Sequence, residues 1–269
     1  MRYRPTQEEA TPEIDSYEPG TPSWVDMGTP DVQAAVAFYM GLFGWEAPEA
    51  DEATGGYVLL TLQGRAVAGI GPQQDPGMPY WTTYISVSDA DATAGFVEAA
   101  GGQVLLPPMD VMTFGRMAVC ADTEGTPFSI WQPKDHPGAG IVNEHGALIW
   151  NELTCRNPDA ARVFYGTVFG WTTEDIDPDG NPYTQWQLNG HTIGGMMPMV
   201  GDSWPGPEEL PSHWMVYFAV DDTDAAAARC TDLGGSMHVE PTDIPPGRFA
   251  VLSDPQGAHF SVIKPVPMD

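Results

Sequence analysis

The chain has 269 residues, 42% hydrophobic and 10% aromatic, with 37 acidic against 10 basic residues and a formal net charge of −27. That composition is globular and long enough for two domains that each bury a core. The negative field argues against nucleic acid and anionic membrane surfaces as partners.

Residues 1–20 are polar, acidic and rich in Pro and Glu, without the apolar stretch of a signal peptide, and read as a flexible arm. No apolar run approaches the roughly 20 residues that span a bilayer, and the expected location is the cytoplasm. A strand is predicted over Trp24–Gly28, closed by Thr29-Pro30-Asp31, which supplies N-cap chemistry for a helix over Val32–Phe43. Its apolar residues Val32, Ala35, Val36, Tyr39 and Phe43 recur at helical spacing, and Gly44 stops it. Strands over Tyr57–Gln63 and Arg65–Gly71 follow, joined through Gly64. Beyond a Pro/Gly stretch come a strand over Trp81–Ser88, a helix capped at Asp89 and stopped at Gly101-Gly102, and strands over Gln103–Leu106, Gly115–Ala121 and Phe128–Gln132.

The same programme then repeats. Trp24-Val25-Asp26-Met27 and Trp150-Asn151-Glu152-Leu153 correspond, as do Ala34-Ala35 with Ala160-Ala161, Phe38-Tyr39 with Phe164-Tyr165, and Phe43-Gly44-Trp45 with Phe169-Gly170-Trp171. A constant displacement across all these pairs marks an internal duplication. Later landmarks pair too: Trp81 with Trp214, Gly115-Arg116 with Gly247-Arg248, Asp122 with Asp254. The chain divides into an arm (1–20), a first domain (21–134), a linker (135–147) and a second domain (148–269), and each domain contains two similar units.

A strand, a capped helix carrying Ala-x-x-Phe-Tyr, a Phe-Gly-Trp stop and strands ending in Asp-x-x-Gly-x-x-Phe resemble the vicinal oxygen chelate superfamily of glyoxalases, bleomycin-resistance proteins and extradiol dioxygenases. The resemblance implies an α+β fold. Four βαβββ units would pair into two glyoxalase-like domains, each a curled mixed sheet around a cavity. Metal-using members carry ligands on the first and last strands of their units. The matching positions here are Trp24, Thr82, Ser129 and Ala68-Gly69 in the first domain, and Trp150, Met215, Ser261 and Gly194-Gly195 in the second. None is His, Asp or Glu, so neither the family metal nor any other cofactor is expected.

Residues two apart in a strand share a face, so if Trp24 and Trp150 face the cavities, Asp26 and Glu152 do as well. A carboxyl group in an aromatic pocket gains a raised pKa and can serve as general acid or base. The same parity groups Tyr80, Thr82 and Tyr84 with Ser129 and Trp131 in one domain, and His213, Met215 and Tyr217 with His259 and Ser261 in the other. Asp26, Glu152, His213 and His259 are thus the catalytic candidates. Trp24, Tyr84, Trp131, Trp150, Tyr217, Ser129, Ser261, Arg116 and Arg248 are the ligand-binding candidates. The competing role for the two arginines is a buried ion pair with Asp26 or Glu152, and for the tryptophans plain core packing.

The three cysteines, Cys120, Cys155 and Cys230, stand alone, without the spacing of a disulfide framework or a zinc site. The expected activity is metal-independent small-molecule binding, tailoring or resistance, with an aromatic or carbonyl-bearing ligand. The alternatives are a glyoxalase-like lyase or isomerase acting on hydroxycarbonyl adducts, and a non-catalytic interaction protein. Either a monomer or a homodimer is compatible with the duplication.

Overall fold

A computed structural model describes residues 14–48, 54–73, 77–176, 182–199 and 209–266. The first half contains β1 (Pro22–Thr29), α1 (Val32–Phe43), β2 (Val58–Leu62), β3 (Arg65–Pro72), β4 (Tyr80–Ser86), α2 (Ala90–Ala99), β5 (Gln103–Val111), β6 (Gly115–Ala121) and β7 (Pro127–Pro133). The second contains β8 (Leu148–Cys155), α3 (Pro158–Phe169), β9 (Thr172–Ile176), β10 (Tyr183–Leu188), β11 (His191–Pro198), β12 (His213–Ala219), α4 (Thr223–Asp232), β13 (Ser236–Ile244), β14 (Gly247–Ser253) and β15 (His259–Pro265). The helix signals work as read. Asp31 accepts the Ala34 N–H at 3.0 Å and Asn157 accepts that of Ala160 at 3.1 Å. Gly44 and Gly170 close α1 and α3 at φ +71° and +74°, a left-handed conformation costly for any other residue.

The fold is α+β. Each half is one open mixed sheet, ordered β2-β3-β1-β4-β7-β6-β5 in the first and β13-β14-β15-β12-β8-β11-β10-β9 in the second. Parallel pairs β1/β3, β4/β7, β8/β11 and β12/β15 lie within units, and the antiparallel pairs β1/β4 and β8/β12 join the two units of each sheet. Two differences from the sequence pattern concern edges. The strand predicted over Gln103–Leu106 continues to Val111, because Pro107 and Pro108 fall in a register shift on an edge strand, where a missing N–H breaks no ladder bond. The edge strand β9 was not predicted; its threonines suit a strand, but only one neighbour, β10, supports it.

Length suggests that each domain buries its own core, yet the two main cores are shared between the halves. Phe38, Tyr39 and Phe43 of α1 pack with Phe218 and Phe260 of the second sheet. Phe164 and Tyr165 of α3 pack with Phe128 of the first. Polar contacts make the same exchange. Tyr39 donates to Asp254 at 3.5 Å, and Tyr165 donates to Asp122 at 3.2 Å. Each of these aspartates also ties its own turn, Asp122 accepting the Glu124 and Thr126 N–H groups and Asp254 those of Gln256 and Ala258, all at 2.9 Å. The Asp-x-x-Gly motif is therefore a turn lock and an interdomain anchor.

The Phe-Gly-Trp tryptophans act likewise: Trp171 donates to the Gly20 carbonyl and Trp45 to that of Gly146, both at 2.7 Å. Linker residues bond to the backbone of β1 and β3, with Ala139 N–H on Ser23 O and Gly140 N–H on Ala66 O, both at 2.8 Å. Tyr17 lies across them and donates to Ala139 O at 2.7 Å. Among the described residues no helix is long and apolar enough to cross a membrane.

Candidate functional site

Both sheets carry the same four-residue arrangement, on the face opposite Val25, Met27 and Leu153, which pack against the helices. In the second, Tyr183 donates to Glu152 Oε2 at 2.6 Å, Tyr217 donates to Oε1 at 2.9 Å, and Trp150 Nε1 donates to the Tyr183 hydroxyl at 2.9 Å. In the first, Tyr84 and Tyr57 donate to Asp26 Oδ2 at 2.8 and 3.3 Å, and Trp24 donates to the Tyr57 hydroxyl at 3.2 Å. The strands explain this convergence. Tyr217 is opposite Trp150 across the antiparallel β8/β12 pair, and Met215 is opposite Glu152. Gly195 is the parallel partner of Glu152, and Gly69 that of Asp26. A Cβ on Gly195 would fall inside the Tyr183 hydroxyl, and one on Gly69 inside that of Tyr57. Each glycine thus opens the space through which a tyrosine from the neighbouring strand reaches the carboxylate.

The electrostatics follow from enclosure. Glu152 is only 6% exposed, and burial raises its pKa against the lowering effect of its two tyrosine donors. Burial of the Asp26 carboxyl raises it to about 6, again opposed by Tyr84 and Tyr57. Burial, and then the adjacent carboxylate, hold Tyr57, Tyr84, Tyr183 and Tyr217 well above the usual phenol range, so all four are phenols that donate. Ser129 and Ser261 adjoin the Tyr84 and Tyr217 hydroxyls, in register across β4/β7 and β12/β15, without completing a well-formed hydrogen bond.

Asp26, Trp24 and Tyr84 are therefore brought together, as are Glu152, Trp150 and Tyr217. Trp131 lies edge-on to Tyr84 at 6.4 Å and belongs to the small cluster with Trp24 and Ala139. His213 and His259 begin β12 and β15, on the face they share with Tyr217 and Ser261. Arg116 and Arg248 are not brought to the carboxylates. Arg116 pairs with Asp91 at 2.7 Å and Asp110 at 3.5 Å, and Arg248 with Asp224 at 2.6 Å and Asp243 at 3.0 Å. The partners of Asp26 and Glu152 are phenols, not guanidinium groups.

Sequence reasoning missed Tyr57, Tyr183, His136 and His238 as site residues. The tyrosines are a duplicated pair at matching positions, a signal available from the repeat. His136 belongs to the linker, yet its ring sits 4.5 Å from Trp24, and burial lowers its pKa to about 4. His238 packs against His259 with ring centres 4.3 Å apart, and its Nε2 meets Ser253 Oγ at 2.8 Å. A separate, largely apolar groove of about 430 Å³ lies beside α1, lined by Val32, Val36, Met40 and Val58, with Gln33 as its one polar side chain.

The donor set does not fit the divalent ion that this fold often holds. The corresponding positions are Trp, Thr, Ser, Met, Ala and Gly, and the space over Gly69 and Gly195 is taken by a protonated tyrosine. Among the described residues, no group of three His, Cys, Asp or Glu side chains is arranged to hold a metal.

Residues 21–130 match the family model for the glyoxalase/bleomycin resistance protein/dioxygenase superfamily, and residues 150–263 match that for a glyoxalase-like domain. A protein of Mycobacterium bovis described as putative glyoxylase CFP32 is 46% identical, over 95% of this chain and 99% of its own length. The anthracycline biosynthesis protein DnrV of Streptomyces peucetius is 39% identical, over 92% of this chain and 94% of its own. Among solved structures, the Mn(II)-bound glyoxalase of Novosphingobium aromaticivorans superposes with a TM-score of 0.62 at 19% identity, covering 92% of this chain and 84% of that one. At that identity the likeness concerns the fold alone. The duplicated units, the two open mixed sheets and these relatives agree: the chain belongs to the glyoxalase/bleomycin resistance/dioxygenase superfamily.

Proposed function

We propose that this protein binds a planar, carbonyl-bearing small molecule on the Glu152 face of the second sheet and acts on it by carboxylate–phenol proton transfer, without a metal. The observation that carries the reading is the Glu152 carboxyl, enclosed and held by Tyr183 and Tyr217 at 2.6 and 2.9 Å. A buried carboxyl group of raised pKa beside phenol donors has the parts for moving a proton next to a carbonyl. The carboxylate takes the proton, and a tyrosine hydroxyl turned to the substrate oxygen stabilises the charge that develops there. Trp150 fixes the Tyr183 hydroxyl through its indole N–H and offers a partly exposed ring as a stacking wall.

The ligand class is supported by this aromatic wall and by the resemblance to a protein of anthracycline biosynthesis. The duplicate at Asp26 has the same chemistry, but there the chain itself buries Ala139 against Trp24, Tyr84 and Trp131. The second sheet is therefore the working site in this reading.

Titration with a dihydroxyanthraquinone, followed by tryptophan quenching and native mass spectrometry, tests it. Saturable binding at one site per chain is expected, weakened tenfold or more in Glu152→Gln and unaffected in Asp26→Asn. Equal binding in wild type and Glu152→Gln would overturn the site. The relatives described as putative glyoxylase favour a second reading, turnover of a hydroxycarbonyl–thiol adduct. Chelator-sensitive turnover of the methylglyoxal–thiol adduct would establish that reading and displace the first.

A further inference from the structure

The two domains are copies, so their differences mark where one has specialised, and the densest difference is a group of three histidines. His213 on β12, His238 on β13 and His259 on β15 converge beside the second site. The His238 and His259 rings are in contact, tilted by 38° with centres 4.3 Å apart, and His213 is near enough for its charge to act on His259. The first domain carries Tyr80, Leu105 and Pro127 at the matching positions, and Ala121 in place of Ser253. Nothing in the scaffold therefore requires imidazoles there.

Their placement relative to Glu152 follows from register. Met215 is opposite Glu152, His213 opposite Thr154, and Tyr217 is the parallel partner of Ser261. His213 thus shares the face of Met215 and Tyr217, and His259 shares that of Ser261. Glu152, Met215 and His259 form one row across three adjacent strands, so about 10 Å separates the backbones of Glu152 and His259 at strand spacings of about 4.8 Å. That is the span of a fused aromatic ring system.

The imidazoles differ chemically from the Glu152 end. His213 has Nδ1 2.9 Å from the Pro211 carbonyl, which makes Nε2 the acceptor of the neutral ring. His238 is tied to Ser253 Oγ. His238 and His259 in contact, with His213 close enough to act on His259 through its charge, disfavour positive charge on one another, and a negative oxygen placed beside them removes that conflict. The nearest acidic group in the site, Glu152, is already satisfied by two tyrosines.

We infer that His213, His238 and His259 form an anchor for an acidic oxygen, a carboxylate or ionised phenol, at the end of the ligand remote from Glu152. This deepens the proposed function and rests on the second sheet being the ligand site. The test compares a dihydroxyanthraquinone with its carboxylic-acid derivative, titrated into the full chain and into His259→Gln and His238→Leu. The latter places in the second domain the residue that the first carries as Leu105. Thermal unfolding confirms that each variant is folded.

The wild type should bind the acid about tenfold or more tightly than the parent, the size of a charge-assisted hydrogen bond. Each variant should lose that preference, binding the acid no more tightly than the parent. Binding of both compounds that depends on Glu152 but shows no preference for the acid would overturn the anchor and leave the site standing. Binding of neither would overturn both. A preference for the acid that survives both substitutions would place its carboxylate elsewhere.

Discussion

The Tyr183 hydroxyl lies 2.6 Å from Glu152 Oε2, directly over Gly195, and Tyr57 stands in the same relation to Asp26 over Gly69. A residue without a side chain thus stands where the resemblance places a metal ligand, and a phenol occupies the space a side chain would take. The duplication makes this a repeated solution.

Gly195→Ala tests the arrangement directly. Its Cβ would collide with the Tyr183 hydroxyl and approach Trp150 Nε1 at 2.9 Å, so the tyrosine must leave the carboxylate. Overpacking of this kind costs about 1–3 kcal/mol, and the melting temperature should fall by several degrees. Tyr183→Phe keeps the ring and removes only the donor, costing about 1 kcal/mol. Both should abolish the dependence of ligand binding on Glu152, as measured by titration. A Gly195→Ala protein with wild-type stability and binding would show that the tyrosine is not held there.

The Asp26 carboxyl should leave a mark on stability as pH changes. Its folded pKa, about 6, is above its value in an unfolded chain, so the folded state holds the proton more tightly. The stabilising contribution is complete below about pH 4 and is lost as pH rises through about 6. Two units correspond to at most about 3 kcal/mol, and less for a residue that keeps partial contact with water. Asp26→Asn should therefore gain stability relative to wild type as pH increases from 4 to 7. Denaturant midpoints of the two proteins at four pH values measure this, and the difference cancels the other carboxylates. A constant difference, or one of opposite sign, would contradict the enclosure of Asp26.

The exchanged core predicts how the chain unfolds. Phe38 and Phe43 of the first half are buried against Phe218 and Phe260 of the second, and Phe164 against Phe128 in return. Neither half can retain its core when the other unfolds. Calorimetry should give one transition with a calorimetric enthalpy equal to the van't Hoff value. Tyr165→Phe should lower stability by about 1 kcal/mol and leave the transition single. Two resolved transitions would mean that the halves are independent.

Much of this fold was legible because its signals are local. Asp31 and Asn157 cap helices, Gly44 and Gly170 end them, and a tandem repeat displays each signal twice. That Asp26 and Glu152 share a face with Trp24 and Trp150 followed from strand parity; which face that is came from the resemblance. What was not legible depends on partners distant in sequence. The Asp122 and Asp254 motif looked like part of a closing strand, but its function lies in contacts to Tyr165 and Tyr39 of the opposite half. Arg116 and Arg248 were plausible partners for the cavity carboxylates until their strand positions turned them toward Asp91 and Asp224. Tyr183 sits at the very start of its strand, where parity gives little guidance, and only Gly195 across the ladder explains its reach.

Removal of divalent ions is the remaining test, because it separates this site from the metal centres of the family. The oxygens that converge at Glu152 are its own carboxylate and two phenols that stay protonated, and a protonated phenol is a hydrogen-bond donor with little capacity as a ligand. Prolonged dialysis against a chelator should leave both the melting temperature and the affinity for a dihydroxyanthraquinone unchanged. Adding manganese, zinc or magnesium back should raise neither. An ion bound to the folded state at a hundred times its dissociation constant would add about 2.7 kcal/mol of stability, a shift easily seen in a melting curve. A concentration-dependent stabilisation that disappears in Glu152→Gln would show that the tyrosines yield to a metal, and the metal-free reading would then fail.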